Sequence, residues 1–281
     1  MEQYLQRIAQ QHNFKILETH PLSGGDINRV YRIKSVETSY VVKLNQASIF
    51  PGMFEAEARG LKLLATSSSF KIPEVVGFDQ VYDMSYLLME YLEPSNLPPF
   101  DWKCFTENLV KLHQNSNQDF GLDHDNYIGS LRQYNGTETS ASDFYINQRL
   151  NPQFKMARDK GFRFSDLDTL FKNIFEEIPN EFSSLIHGDL WNGNYLVTSS
   201  GEAALIDPAV SYGPREMDIA MMKLFGGFPD RLYSDYHELF PLVEGWKDRI
   251  SIWQLYYLLV HLNLFGAGYL SQVNSIIKSF S

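Results

Sequence analysis

Three oxygen-bearing side chains stand at short intervals in the C-terminal half of the sequence. Asp189 and Asn194 lie in the run HGDLWNGN, His187 to Asn194, and Asp207 follows thirteen residues after Asn194 in the run LIDPA. Phosphoryl transfer asks little covalent work of a protein: it needs one carboxylate to accept the proton of the attacking hydroxyl, and oxygen ligands for magnesium. Asp189 fits the first role, and Asn194 and Asp207 fit the second. Mg2+ prefers oxygen donors and usually keeps waters beside one or two carboxylates, so an amide oxygen plus a carboxylate is a sensible contribution, and no sulfur is needed. A structural alternative exists for each residue taken singly: Asp189 capping a turn, Asn194 closing it, and Asp207 ending a strand before Pro208. For all three at this spacing, between two short apolar runs, the chemical reading outweighs it.

The elements that must position these residues follow from periodicity. Tyr195 to Val197 and Ala203 to Ile206 flank a Ser199, Ser200, Gly201 turn and predict a hairpin with polar residues at its ends. The first third reads as mostly β, with strands around Phe14 to Thr19, Arg29 to Lys34 and Tyr40 to Leu44. A helix over Phe54 to Leu64 carries Phe54, Ala58, Leu61 and Leu64 on one face together with Glu57, while Glu55 points away. A short strand after Pro73 and another over Tyr86 to Tyr91 complete this part. From Asp101 the pattern changes to amphipathic helices, one bearing Phe105, Leu109, Leu112 and His113, another over Phe144 to Ala157, with more near Glu216 to Leu224 and Asp248 to Leu264. Between them, Asn117 to Ser142 is polar and predicts a long surface excursion, either a substrate loop or an insertion without a role. The expected organisation is two lobes, 1–93 and 94–281.

The five-residue interval from Asp189 to Asn194, with an aspartate at the end of a following hairpin, resembles the catalytic loop of the protein-kinase-like superfamily. His187, Gly188 and Asp189, without the arginine usual after that histidine, look like the aminoglycoside and choline kinase branch. Within it the chain resembles the fructosamine kinase (ketosamine 3-kinase) family. The carrying runs are HGDLWNGN, IDPAVSYGPREMDIAMMKLFGGFP (Ile206 to Pro229), MFEAEARGLKLL (Met53 to Leu64) and DNYIGS (Asp125 to Ser130). The resemblance implies an α+β, two-lobed fold with a small β-rich first lobe that clamps ATP and a larger, mainly helical second lobe. In the first lobe, Lys43 matches the phosphate-binding lysine, Glu57 its carboxylate partner, and Ser23, Gly24 and Gly25 the phosphate-covering loop. Glu90, Tyr91 and Leu92 match the linker that contacts adenine. Taken alone, Lys43 is a surface charge, Glu57 an exposed helix residue, the glycine pair a turn, and the linker an ordinary strand end.

The family implies ATP and Mg2+ as cofactors and transfer to the C3 hydroxyl of a ketosamine, small or protein-linked, whose unstable product decomposes and releases the amine. Trp191 then suits a sugar face or a nearby cationic amine, or else packing. Asp218 would brace the catalytic loop or serve as an acid at a helix N-terminus. The chain departs from the family in having a small, polar stretch over Gly136 to Ser142 where relatives commonly carry tryptophans, and no cysteine beside Gly24 and Gly25. The competing functions are another small-molecule kinase, for an aminoglycoside, choline or amino alcohol, and a silent nucleotide-binding scaffold. A scaffold has no need of a base, metal ligands and Lys43 together.

Composition bounds the remainder. With 281 residues, 44% of them hydrophobic, the chain supports two modest cores. A formal charge of -10 repels nucleic acid and anionic membranes at long range. Cys104 is the single cysteine, which forbids an intramolecular disulfide and fits a reducing cytoplasm. The start, Met1 to Tyr4, does not read as a secretory signal. The apolar stretch Leu255 to Leu270, interrupted by His261, Asn263 and two glycines, predicts a buried helix rather than a membrane span. A monomer is the favoured state.

Overall fold

The computed structural model describes residues 1–22, 28–95 and 100–280. In chain order the first elements are α1 (Glu2–Gln11), β1 (Glu18–Pro21), β2 (Arg29–Lys34), β3 (Ser39–Gln46), α2 (Met53–Ser67), β4 (Val75–Val81) and β5 (Met84–Glu90). There follow α3 (Trp102–His113), β6 (Asn126–Ile128), β7 (Leu131–Gln133), the single turn α4 (Ala141–Asp143), a π-helix (Phe144–Leu150), α5 (Asn151–Asp159) and α6 (Leu167–Glu177). The last part holds β8 (Ser184–Ile186), β9 (Tyr195–Val197), β10 (Ala203–Leu205), β11 (Ser211–Gly213), α7 (Glu216–Phe225), α8 (Asp230–Leu239), α9 (Trp246–Phe265) and α10 (Leu270–Ser279). A β-sheet N-terminal region is followed by a mainly helical C-terminal region.

The chain forms two compact units. The first comprises Met1–Thr66, Phe70–Phe100 and Tyr195–Asp207; the second comprises Ser67–Ser69, Asp101–Asn194 and Pro208–Ser281. The β9–β10 hairpin thus belongs to the first unit although it lies far along the chain. The cause is backbone pairing: Lys71 N–H donates to Ala203 O at 3.0 Å, Leu205 N–H to Lys71 O at 3.0 Å, and Ser95 N–H to Val197 O at 2.7 Å.

In the first unit an antiparallel sheet runs in the order β1-β2-β3-β5-β4. Alternation along the central strand β3 decides what each face holds. Val42 and Leu44 turn to one side, where Ile8 of α1, Ile33, Tyr86 and Leu88 join them in a common core. Lys43 turns to the other side, the side of α2 and its Glu57. Pro21 closes β1 at the sheet's edge, where the lost N–H costs no interior ladder bond.

The second unit is built on α9, in which Leu255, Tyr256, Tyr257, Leu258, Leu259 and Val260 are consecutively buried. A helix apolar on all sides belongs in a core, and no helix among the described residues is long and apolar enough to cross a membrane. The structure departs from the sequence expectations in four respects. The first strand lies at Glu18–Pro21, later than expected. The helix expected from Phe144 is a π-helix before it becomes α5. The polar stretch 117–142 is no simple surface excursion: it holds the β6–β7 hairpin, and Asn126, Gln133 and Asn135 are at most 4% exposed. Helices α1, α6, α8 and α10 were not expected from the pattern.

Candidate active site

In the first unit, three charged groups meet. Lys43 Nζ donates to Glu57 Oε1 at 2.6 Å and to Asp207 Oδ1 at 2.5 Å. The strand and α2 bring Lys43 and Glu57 inward, leaving 6% and 12% of their side chains exposed, whereas the Asp207 side chain is 40% exposed. Glu55, two residues from Glu57, instead pairs with Arg59 on the outer face. Burial works against the ammonium of Lys43, but the charge of Asp207, then that of Glu57, outweighs it and raises its pKa, so the side chain stays charged. Burial pushes Glu57 up against the pull of Lys43, and the nearby Asp207 adds to the push. Asp207 has φ +54°, an uncommon backbone for a residue other than glycine, and such residues cluster at functional sites.

The linker is held by its own contacts. Glu90 N–H donates to Glu74 O, Tyr91 N–H to Ser39 O, and the Arg32 guanidinium lies 4.1 Å from the Tyr91 ring centroid while pairing with Glu93 at 3.1 Å. The Glu90 carboxylate is occupied by Lys71 at 2.9 Å, and Leu92 is buried. Ser23, Gly24 and Gly25 lie outside the described residues.

In the second unit, the loop 187–194 carries Asp189, Trp191 and Asn194. Asn194 Nδ2 donates to the Asp189 carbonyl at 2.8 Å and to its Oδ2 at 3.0 Å, which orients the carboxylate and leaves the amide oxygen of Asn194 as its remaining acceptor. Asp218 takes the backbone N–H of His187 on Oδ2 at 2.8 Å and that of Gly188 on Oδ1 at 2.9 Å. It is wholly buried, so it braces the loop rather than merely facing a helix dipole. His113 of α3 completes this arrangement: its Nε2–H donates to Asp218 Oδ2 at 3.2 Å, and its Nδ1 accepts from the Tyr236 hydroxyl at 2.8 Å. Sequence reasoning had placed His113 on an inward helix face without giving it a partner; a histidine on an otherwise apolar face was the available signal.

Glycines let this loop close on itself. Gly188 has φ +81°, and a Cβ there would lie 2.0 Å from the Ala209 carbonyl oxygen. A Cβ on Gly193 would enter the Trp191 ring, and one on Gly227, in the GGFP run, would lie 2.5 Å from Asn192 Cβ. Trp191 is 37% exposed and meets Phe225 edge-on, with ring centroids 6.3 Å apart. Both expected metal ligands sit at sequence junctions between the units, Asn194 just before Tyr195 and Asp207 just before Pro208.

Solved structures place this geometry in a class. A thermostable mutant of an aminoglycoside phosphotransferase matches with a TM-score of 0.66 at 17% identity, covering 98% of both chains, which makes the fold that of the protein-kinase-like phosphotransferases. Nearer relatives identify the branch. A structure from Haemophilus somnus described as a "Putative fructosamine-3-kinase" matches with a TM-score of 0.89 at 31% identity over 98% of this chain and 95% of that one. A protein of Enterococcus faecium described as a probable ketoamine kinase is 40% identical over 270 residues, 92% of this chain and 94% of that protein. The profile of the family described as Fructosamine kinase matches residues 1–281. The chain belongs to the fructosamine kinase family and is an ATP-dependent phosphotransferase acting on a hydroxyl group.

Proposed function

We propose that this enzyme phosphorylates the C3 hydroxyl of ketosamines, free or borne on protein lysines, and so promotes their deglycation in the cytoplasm. The observation that carries the proposal is the Asp189 carboxylate, oriented by the Asn194 amide in a loop that Asp218 braces through two backbone N–H groups. Asp189 receives the proton of the attacking hydroxyl and aligns its oxygen for in-line transfer. Lys43, kept charged and oriented by Glu57, holds the nucleotide phosphates, as the matching lysine does in kinases generally. The Glu90 to Leu92 linker receives the adenine, and Ser23, Gly24 and Gly25 cover the phosphates. Trp191 offers its half-exposed face to the sugar and to the cationic amine beside it.

The donors fit magnesium. The amide oxygen of Asn194 and the carboxylate of Asp207 are both hard oxygen ligands of the kind Mg2+ takes, and Asp207 keeps Oδ2 beyond its Lys43 contact on a part-exposed side chain. Asn194 and Asp207 would hold the ion, which would supply charge neutralisation for the transferring phosphoryl group. The relatives described as a probable ketoamine kinase and a fructosamine-3-kinase support the ketosamine as acceptor. ADP release with Mg2+ and ATP tests this across ribuloselysine, fructoselysine, choline, kanamycin and a generic peptide. Turnover is expected with the two ketosamines. Turnover of the other acceptors alone would contradict the substrate, and ATP binding without any turnover would favour a scaffold.

A further inference from the structure

The polar stretch after α3 carries side chains that the proposed chemistry does not use. Asn126 and Gln133 are buried cross-strand partners in the β6–β7 hairpin, and both also reach beyond it. Asn126 Nδ2 donates to the Val210 carbonyl at 2.8 Å, and Gln133 Nε2 donates to the Ala209 carbonyl at 3.0 Å and to Asn126 Oδ1 at 2.8 Å. Gln133 Oε1 accepts from the Tyr256 hydroxyl of α9 at 2.7 Å. Asn135 ties the pair to Arg149, donating to Asn126 Oδ1 at 3.1 Å and accepting from Arg149 Nη2 at 2.9 Å, and Arg149 also reaches Ser211 Oγ at 3.0 Å. Plain packing would be met as well by apolar side chains; a satisfied buried network instead specifies one arrangement.

What it specifies is the peptide against which the Asp189 loop closes. Ala209 N–H donates to His187 O at 2.9 Å, and the Ala209 carbonyl occupies the space a side chain at Gly188 would need. The loop is thus held from two directions. Asp218 takes the N–H groups of His187 and Gly188, while Ala209 takes the His187 carbonyl and abuts the Gly188 α-carbon.

We propose that Gln133, assisted by Asn126, is a positioning residue for Asp189, acting through the Ala209 peptide; the proposal rests on Asp189 being the base. Gln133→Met removes the donor to Ala209 at similar volume, whereas Tyr256→Phe removes the neighbouring bond of the same network and leaves the Ala209 contact in place. With ATP and ribuloselysine, Gln133→Met is expected to lower kcat about tenfold, since small misplacements of reacting groups are costly, with KM for ATP unchanged. Tyr256→Phe is expected to lower kcat less than Gln133→Met does. In an Asp189→Asn background, Gln133→Met should add little, the non-additivity of residues acting as a unit. Hydrogen exchange in a peptide covering 184–194 should quicken in Gln133→Met and leave β1 to β5 unchanged. Should that variant fail to fold, Gln133→Asn, which keeps the amide but shortens its reach, carries the same readouts. Wild-type kcat in Gln133→Met, equal losses in Tyr256→Phe, or exchange rising evenly through the second unit would overturn the proposal. If the wild type does not turn over ribuloselysine, or Asp189→Asn leaves the rate intact, the functional reading fails instead, and the 184–194 exchange still decides the positioning role.

Discussion

The two units hold their key side chains by opposite means. In the first, Lys43 is held by charge, gripped by two carboxylates within 2.6 Å. In the second, the Asn194 amide donates to the Asp189 carboxylate, and the loop that carries it is pinned through backbone groups, by Asp218 on the His187 and Gly188 N–H and by Ala209 on the His187 carbonyl. The difference follows from the tasks proposed. A residue that binds phosphates must stay cationic although buried, and only nearby carboxylates secure that. A base must meet the attacking hydroxyl at a fixed distance and angle, and a pinned loop secures that.

The largest effect expected from this contrast is at Lys43. Lys43→Met leaves Glu57 buried without its cation, a loss of roughly 3–5 kcal/mol for a broken buried pair, measurable by denaturant unfolding alongside loss of nucleotide binding. The cost should depend on pH. With the folded pKa of Glu57 already raised by burial and the cation gone, its protonated form is the one the fold tolerates. The stability remaining at acid pH is lost as pH rises through that raised value, so the variant should be distinctly weaker at pH 8 than at pH 5. Equal stability at both would show that charge is not what holds this cluster. A smaller effect is expected at the backbone-held site. Gly188→Ala places a side chain in left-handed backbone, about 1–2 kcal/mol, and drives it against the Ala209 carbonyl. Its unfolding free energy should fall with no comparable dependence on pH, and its turnover should fall with it; an unaffected turnover would separate the loop's closure from catalysis.

How much of this was legible in the sequence differs between the two clusters for the same reason. Lys43, Glu57, Asp189, Asn194 and Asp207 carry side chains whose chemistry and spacing are visible in the one-dimensional pattern. The helical face of α2 sufficed to turn Glu57 inward, whereas Lys43, which alone reads as a surface charge, was placed by the family resemblance. The supports of the Asp189 loop are not visible in that way. His113, Gln133 and Asn126 reach groups 76 to 105 positions away, as with Gln133 and the Ala209 carbonyl or His113 and Asp218. A run rich in polar residues reads as solvent-facing when its partners are carbonyls that no sequence displays, which is why 117–142 was expected at the surface. The return of β9 and β10 to the first unit was hidden for a similar cause, since bonds from Lys71 and Ser95 are made by main chain alone.

The most direct test of the central claim is the turnover of Asp189→Asn. The substitution keeps the size of the side chain and removes its capacity to accept the hydroxyl proton. With Mg2+, ATP and ribuloselysine, kcat should fall by roughly 10²-fold or more, while ATP affinity and unfolding free energy stay close to those of the wild type. An unchanged kcat would remove Asp189 from the role of base and contradict the account.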